Sequence, residues 1–243
     1  MDETPSYRRY TMIKVRIHNR DMIHWIKEHK YCLAGLYLFV FLALFFLMEH
    51  LVPEPKYIIH CRLDDMIPFN EWFVLPYFLW YVWVPVFLVY FMLKEKRAYL
   101  ELCFVMFAGA TLCLIIYAIW PNGLNLRQEI TADNFCADIM RFLRRVDTPT
   151  NVCPSIHVSS TVAAHLVISR SESFRNNRKI ILLSFLVTAA ISLSTVVIKQ
   201  HSVIDVFWGF VLSVVLAALV WKTEAFFIKK GWDKSREEKL GKA

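Results

Sequence analysis

The sequence predicts an all-α, polytopic membrane protein with six transmembrane helices and both termini in the cytoplasm. Apolar residues make up 57% of the chain and the mean hydropathy is +0.41, a more apolar composition than soluble domains usually have. These residues are concentrated in runs long enough to cross about 30 Å of hydrocarbon. Helices are expected because lipid cannot satisfy the backbone polar groups of an open chain.

Six apolar runs account for this pattern. They cover residues 31–52, 72–93, 99–120, 155–168, 180–198 and 203–221. The fourth run is short and contains polar side chains at Ser159, Ser160, Thr161 and His165. Polar groups at membrane depth are tolerated when they face other helices or a water-filled cavity. We therefore expect the fourth helix to lie inside the bundle.

Basic residues set the predicted orientation. Of the 28 Lys and Arg residues, 21 lie before the first run, after the last, or in the two loops that follow runs two and four. The positive-inside rule places these segments in the cytoplasm. We divide the chain into a basic amphipathic segment (1–30), a six-helix membrane domain (31–222) and a basic tail (223–243). The net charge of +7 then needs no nucleic acid, and we expect a multi-pass protein of the cell membrane.

His201 and Asp205 stand at the predicted outer start of the sixth helix. Side chains four residues apart are neighbours on a helix. The carboxylate can therefore fix the imidazole tautomer and leave the other nitrogen free to attack or to take a proton. The same spacing also occurs where two residues merely cap a helix, so the pair alone leaves both interpretations open.

A second outer motif opens the fourth helix. Pro154, Ser155 and His157 lie where proline favours helix initiation and free backbone N–H groups attract an anion. His157 is in the first turn, where it can protonate a leaving oxygen; an ordinary capped helix is the alternative. Arg127 in the preceding loop and Lys199 in the turn between helices five and six are candidate phosphate ligands.

These motifs resemble those of the type-2 phosphatidic acid phosphatase superfamily of integral membrane proteins. The proline-serine-any-histidine signature of that family is matched by Pro154, Ser155 and His157. Its third signature is matched by His201 and Asp205, with Ser194 at the usual place seven residues before the histidine. The resemblance covers roughly residues 72–222.

The resemblance implies a six-span lipid phosphatase that works without a metal or other cofactor. His201 would be the nucleophile that forms a phosphohistidine, Asp205 would orient it, His157 would protonate the leaving group, and Ser155 would bind phosphate. The substrate would be a phosphomonoester of a membrane lipid, hydrolysed at the extracytoplasmic face.

Several positions depart from the family pattern. Thr195 follows Ser194 where the family usually has arginine, Trp120 occupies the place of a lysine, and Gln128 follows Arg127 in place of proline. A similar loss of cations occurs in the branch that resembles sphingomyelin and inositol phosphorylceramide synthases. The alternatives are therefore a lipid phosphotransferase and a non-catalytic lipid-binding or transport relative. An intramembrane serine protease is disfavoured because no glycine flanks the candidate serine.

Two further features lie on the predicted outer side. Segment 60–65 holds a histidine and two carboxylates, and without a second ligand cluster a structured loop is favoured over a metal or head-group site. Cys136 and Cys153 share one loop and can pair in an oxidising compartment.

An interfacial helix is predicted over residues 133–146, with Asp133 as its cap. Three arginines are expected on one face. The opposite, apolar face is expected to contain Phe135, Ile139, Phe142 and Val146.

Overall fold

The computed structural model describes residues 27–51 and 54–229, so most of the predicted N-terminal segment and C-terminal tail lie outside the described residues. The described chain is mostly helical, which confirms the all-α prediction. Short 3₁₀ turns at Lys30–Leu36 and Glu71–Phe73 precede α1 and α3. The α-helices are α1 (Tyr37–Leu51), α2 (Arg62–Met66), α3 (Val74–Lys94), α4 (Lys96–Ile119), α5 (Phe135–Val146), α6 (Ile156–Arg170), α7 (Arg178–Val197) and α8 (Val203–Lys229).

Five helical segments of the described chain are long and apolar enough to cross a membrane. They are Lys30–Leu51, Glu71–Lys94, Lys96–Ile119, Arg178–Val197 and Val203–Thr223. The predicted fourth span is α6, which has 15 residues and extends about 22 Å at 1.5 Å per residue. That is less than the hydrocarbon thickness of about 30 Å. The structure is thus compatible with a membrane protein, while the six-span topology and its orientation stay predictions.

The short helix α6 lies inside the bundle, as its polar sequence predicted. It packs against α4, α7 and α8 and also contacts α3. Its hydroxyls find partners there: Ser159 Oγ and Ser213 Oγ are 2.9 Å apart, and Trp80 Nε1 donates to Ser160 Oγ at 2.8 Å. Polar side chains at this depth are therefore satisfied by neighbouring helices.

The first turns of α6 and α8 are held against each other. The Ser155 N–H donates to the Asp205 carbonyl at 3.1 Å. A Cβ at Gly209 would lie 2.6 Å from the Ser155 carbonyl oxygen, so a larger residue there would push the two helices apart. This contact brings His157, in the first turn of α6, close to the turn that precedes α8.

Loops at the same end form a small cap. Strand β1 (Tyr57–Ile58) pairs in parallel with β2 (Asn122–Gly123). The Asn122 amide then fixes the segment before α6: its Oδ1 accepts from the N–H groups of Val152 at 3.0 Å and Cys153 at 2.8 Å, and its Nδ2 donates to the Cys153 carbonyl at 3.0 Å. Two distant loops thereby set the position at which α6 begins.

The predicted interfacial helix is present as α5, but its cap is Asn134. The Asn134 Oδ1 accepts from the Ala137 N–H at 2.9 Å. The prediction of Asp133 as the cap is wrong, because the helix begins two residues later than that position and Asn134 alone stands immediately before it.

The apolar face predicted for α5 is mostly exposed. Phe135, Phe142 and Val146 are 72%, 60% and 59% exposed, and Ile139 is partly buried. The part that packs on the bundle is formed by Cys136, Met140 and Leu143. The apolar face of α5 is therefore wide: one part packs on the bundle, and the adjoining part is exposed.

The two loop cysteines are unbonded. Cys136 packs in the α5 cluster beside Tyr77, and Cys153 packs beside Ile59 and Leu124 in another cluster. A Cys136–Cys153 disulfide is therefore absent from this structure.

Candidate functional site

The turn between α7 and α8 is fixed by the loop that contains α2. Lys199 has a left-handed backbone (φ 61°) and is 2% exposed. Its Nζ donates to the carbonyl oxygens of Asp64 at 2.6 Å and Ile67 at 2.5 Å. The ammonium is thus engaged with this loop, and the geometry does not bring Lys199 to the cavity described below.

The side chain of Asp64 also fixes the turn between α7 and α8. Its fully buried carboxylate accepts from Ser202 Oγ at 2.7 Å, the Val203 N–H at 2.9 Å and the Cys61 N–H at 2.8 Å. Burial opposes ionisation of Asp64, but these hydrogen bonds outweigh it and lower the pKa of the carboxyl. A carboxylate at a helix start is also favoured by the helix dipole. This part of segment 60–65 is therefore a structured loop.

His201 and Asp205 are brought together, although not as neighbours within one helix. His201 lies two residues before α8, and Asp205 lies in its first turn. The His201 Nδ1 and Asp205 Oδ2 atoms are 3.4 Å apart, and that oxygen also accepts from the Ser202 N–H at 2.8 Å. Asp205 is fully buried and His201 is 7% exposed. The carboxylate therefore faces Nδ1 and leaves Nε2 of His201 as the nitrogen available for chemistry.

His157 faces His201 from the first turn of α6. The two ring centroids are 5.9 Å apart. The His157 ring also stacks on Tyr77 at 4.6 Å and contacts Trp80 at 4.3 Å. Its Nε2 is buried and has no hydrogen-bond partner among residues 27–51 and 54–229. An imidazole from α6 and one from the turn before α8 thus share one site, and the nitrogen Nε2 of His157 has no partner among the described residues.

Both histidines line a cavity of about 190 Å³. One side of the cavity is formed by residues around the α5–α6 loop, including Asp147 and Asn151, together with Gln200. The other side is apolar and is formed by α1 residues Phe41, Leu42, Phe45 and Phe46. Leu42 and Phe46 are 38% and 61% exposed, so the apolar side reaches the surface of the bundle. Such a cavity matches a ligand with a polar head and an apolar body.

Ser155 is the N-cap of α6 and lies next to this cavity. It is fully buried, and its Oγ accepts from the Val158 N–H at 3.3 Å. The next two residues, Ile156 and His157, line the cavity. The positive end of α6 therefore faces the cavity, an arrangement that favours an anion.

Arg127 lies behind the cavity wall instead of lining it. Its Nη2 donates to the Asp147 carbonyl at 2.7 Å and to Gln200 Oε1 at 2.5 Å. Burial lowers the pKa of the guanidinium, against the opposing effect of Asp147. Its buried Nε has no partner in the described part of the chain. Arg127 thus supports two residues of the wall, and a direct contact with phosphate stays a prediction.

The wall contains residues that the sequence did not single out, namely Trp80, Tyr81, Asp147, Asn151 and Gln200. The sequence could have indicated Gln200, because it is adjacent to His201 in the chain. Asp147 and Asn151 lie shortly before the motif at Pro154 but in an irregular loop, and Trp80 and Tyr81 are far from both motifs, so only the packing of α3 and the α5–α6 loop shows that these residues belong to the site.

Within the described residues, no group of three or more His, Cys, Asp or Glu side chains is arranged to hold a metal ion. His60 and Asp65 form an exposed pair with Nε2 and Oδ1 2.8 Å apart. The expectation of a metal-independent site stays a prediction.

Comparison with known proteins adds no assignment. The chain matches no protein-family model, and a search of the curated proteins finds no match. The structure is that of a helical protein with five apolar helical segments long enough to span a membrane among the described residues, and with two histidines on one cavity.

Proposed function

We propose that the protein is a metal-independent lipid phosphatase that uses a phosphohistidine intermediate at the outer membrane face. The observation that carries this proposal is the placement of His157 and His201 on one cavity, with ring centroids 5.9 Å apart and Asp205 behind Nδ1 of His201. A nucleophile, a proton donor and an orienting carboxylate are the three parts that such a reaction needs.

In the first step, Nε2 of His201 forms a bond to phosphorus as the ester P–O bond breaks. The leaving alkoxide takes a proton from His157 and departs as an alcohol. In the second step, His157 accepts a proton from water, the resulting hydroxide attacks phosphorus, and the P–N bond breaks. Inorganic phosphate leaves, and both histidines return to their starting states.

The phosphate oxygens need donors at the same place. The first turn of α6 supplies backbone N–H groups. The Ser155 oxygen accepts a hydrogen bond within the helix cap, so its O–H group is still available to donate to the ligand. Gln200 lines the cavity with an amide nitrogen that has no partner among the described residues. Fixed donors of this kind usually provide the largest electrostatic contribution to catalysis. Arg127 positions Gln200 from behind.

A lipid phosphotransferase is the second candidate, and one observation favours it. His201 is 7% exposed, and much of the cavity wall is apolar. Water has poor access to such a site, whereas an alcohol on a lipid can reach it from the membrane. Product analysis separates the two functions, because a phosphatase releases inorganic phosphate while a transferase forms a new phosphate ester in the presence of an acceptor alcohol.

Turnover of a lipid phosphate by the purified full-length protein is the direct test. We expect product formation by the wild type and by His60→Ala, which changes an exposed histidine, and none by His201→Ala. A wild-type protein that binds but never converts such lipids would instead establish the non-catalytic alternative.

The predicted side of the membrane has its own test. Glu129→Cys, in the loop before α5, should react with an impermeant thiol reagent from outside the cell. Arg175→Cys, in the loop between α6 and α7, should react only after the membrane is opened. Labelling of both positions from one side would contradict the six-span topology.

A further inference from the structure

The polar part of the cavity wall offers both a free hydrogen-bond donor and free acceptors. Gln200 supplies the donor, and the orientation of its amide is set by Arg127. Its Oε1 accepts from Arg127 Nη2 at 2.5 Å, and since a guanidinium can only donate, the NH₂ group must be the free end. Gln200 is 4% exposed, and its Nε2 has no partner in the described ranges. This nitrogen is therefore available to an anionic group.

Asn151 shows the reverse orientation. Its Nδ2 donates to Glu49 Oε1 at 2.9 Å, and since a carboxylate only accepts, the carbonyl Oδ1 must be the free end. Asn151 is 5% exposed, and its Oδ1 is buried without a partner among the residues described. An unsatisfied buried acceptor costs about 1–3 kcal/mol, so a donor on a bound ligand would relieve it.

Asp147 lies beside Asn151 and brings a negative charge to the same part of the cavity. Arg127 donates to the backbone carbonyl of Asp147, so among residues 27–51 and 54–229 the carboxylate itself has only the Tyr77 hydroxyl, at 3.2 Å, as a partner. No cation lies within ion-pair distance of it in the described chain. Burial raises the pKa of Asp147, although Arg127 and His201 oppose this shift. We call Asp147 and Asn151 the acceptor wall.

Two aromatic rings line the same cavity, and both lie near the His157 ring, with centroid distances of 4.3 Å for Trp80 and 6.2 Å for Tyr81. Trp80 and Tyr81 line the cavity with ring centroids 4.8 Å apart in an edge-to-face arrangement. Aromatic faces attract cations, and indole does so most strongly. A carboxylate, a free carbonyl and aromatic rings form a set that suits a protonated amine, which carries both a positive charge and N–H donors.

We propose that the acceptor wall is a subsite for a protonated amine, so that the preferred substrate is a lipid phosphate ester bearing an ammonium group a few atoms from phosphorus. This inference rests on the proposed function, because the phosphate would occupy the histidine side of the same cavity. The cavity of about 190 Å³ holds a head group, and the apolar side at Leu42 and Phe46 leads the lipid chains toward the bilayer.

The test compares three lipids on the purified full-length protein. One is a long-chain 2-amino-alcohol phosphate, and the second is its N-acetylated form, which has no charge on nitrogen. The third is a diacyl phosphoethanolamine, a phosphodiester whose amine lies beyond the phosphate; attack by His201 would release diacylglycerol from it, and water would then release phosphoethanolamine in place of inorganic phosphate. One charge-assisted contact corresponds to about tenfold to a hundredfold in kcat/KM. We expect at least one amine-bearing lipid to be preferred over the N-acetylated lipid by this factor, and the preferred one shows on which side of phosphorus the amine lies.

Asp147→Asn should reduce this preference mainly through KM, because the charge is lost while the shape is kept. Asp138→Asn is the matched control, since Asp138 is an exposed carboxylate on α5 that pairs with Arg141, and it should keep the full preference. Tyr81→Leu gives a second variant if Asp147→Asn fails to fold, and it should also weaken the preference.

Two failures can be told apart. If the wild type converts none of the three lipids and no diacylglycerol phosphate either, the proposed function falls; if it converts only the diacylglycerol phosphate, the amine subsite alone is overturned. If it converts the three lipids with equal kcat/KM, or if Asp147→Asn keeps the preference, the amine subsite is overturned while the phosphatase proposal stands. A preference that appears only with added Ca²⁺ or Mg²⁺ would also overturn it, because the acceptor wall would then hold a divalent cation.

Discussion

Two histidine–aspartate pairs in the loops of this protein differ in burial and in what surrounds them. His60 Nε2 and Asp65 Oδ1 are 2.8 Å apart, with side chains 45% and 63% exposed. His201 Nδ1 and Asp205 Oδ2 are 3.4 Å apart, with side chains 9% and 0% exposed. The shorter contact lies in solvent, where an ion pair contributes little. The longer one lies beside a cavity, where a charge or a tautomer has consequences for a bound ligand.

A short distance between histidine and aspartate is therefore a poor guide to a functional pair. What distinguishes His201 is a second imidazole at 5.9 Å and a cavity on its open side. If this interpretation is right, equivalent changes in the two pairs should have very different effects.

The largest difference is expected for the histidines. His201→Ala should lower turnover by at least about a thousandfold, because loss of a nucleophile removes the covalent route altogether. It should also abolish the phosphoryl-enzyme that is trapped by rapid acid quench with labelled substrate. His60→Ala should retain normal values in both assays. Near-normal turnover by a folded His201→Ala protein would refute the phosphohistidine mechanism.

The second-largest difference is expected between the carboxylates of the two pairs. Asp205→Asn keeps a hydrogen-bonding group but loses the charge that stabilises the imidazolium and selects the tautomer, so we expect kcat to fall by about a hundredfold or more. Asp65→Asn should change kcat by less than about twofold, as expected for an exposed pair. Steady-state kinetics on the two variants measures the contrast, and equal effects would show that burial does not separate the pairs.

Asp64, next to Asp65 in the chain, offers a sharper contrast within one loop. Asp64→Ala leaves the donors of Ser202 and Val203 without their acceptor. Each unsatisfied buried group costs about 1–3 kcal/mol, so thermal unfolding in detergent should occur at a lower temperature, with partial loss of activity. Asp65→Ala should leave the unfolding temperature unchanged. If both variants unfold like the wild type, the loop does not support the turn.

The smallest effect is expected from chelation. Because no metal-type cluster occurs in the described ranges, EDTA should leave turnover unchanged. Complete inactivation that a single divalent cation reverses would identify a metal requirement, and His60→Ala would then test whether the exposed pair contributes a ligand.

Sequence reasoning located the histidines better than their surroundings. Hydropathy alone put His157 and His201 at the same end of two helices, and the structure places them on one cavity. Lys199 was expected there too, but its left-handed backbone and the carbonyl oxygens of the α2 loop take its ammonium elsewhere. Backbone conformation at one residue and the position of a loop over 130 residues away are not encoded in local spacing.

The polar wall was missed for a related reason. Asp147 and Asn151 lie in an irregular segment, and their side chains are held by Tyr77 and Glu49 from distant parts of the chain. Hydrophobic periodicity carries information about helices, and it carries none about which side chains of a loop point inward. For α5 the pattern predicted the apolar face, but not that the adjoining residues Cys136, Met140 and Leu143 pack on the bundle.

The hydrogen bonds between Asp64 and the turn before α8 also have a consequence for biosynthesis. Its hydrogen bonds join residues separated by 138 and 139 positions, so the loop after α1 is made long before its partner leaves the ribosome. Until α8 has formed, Ser202 and Val203 are not in place and His201 has no fixed position. The cavity that both histidines line is therefore completed only when α8 packs, and chains truncated before α8 lack it.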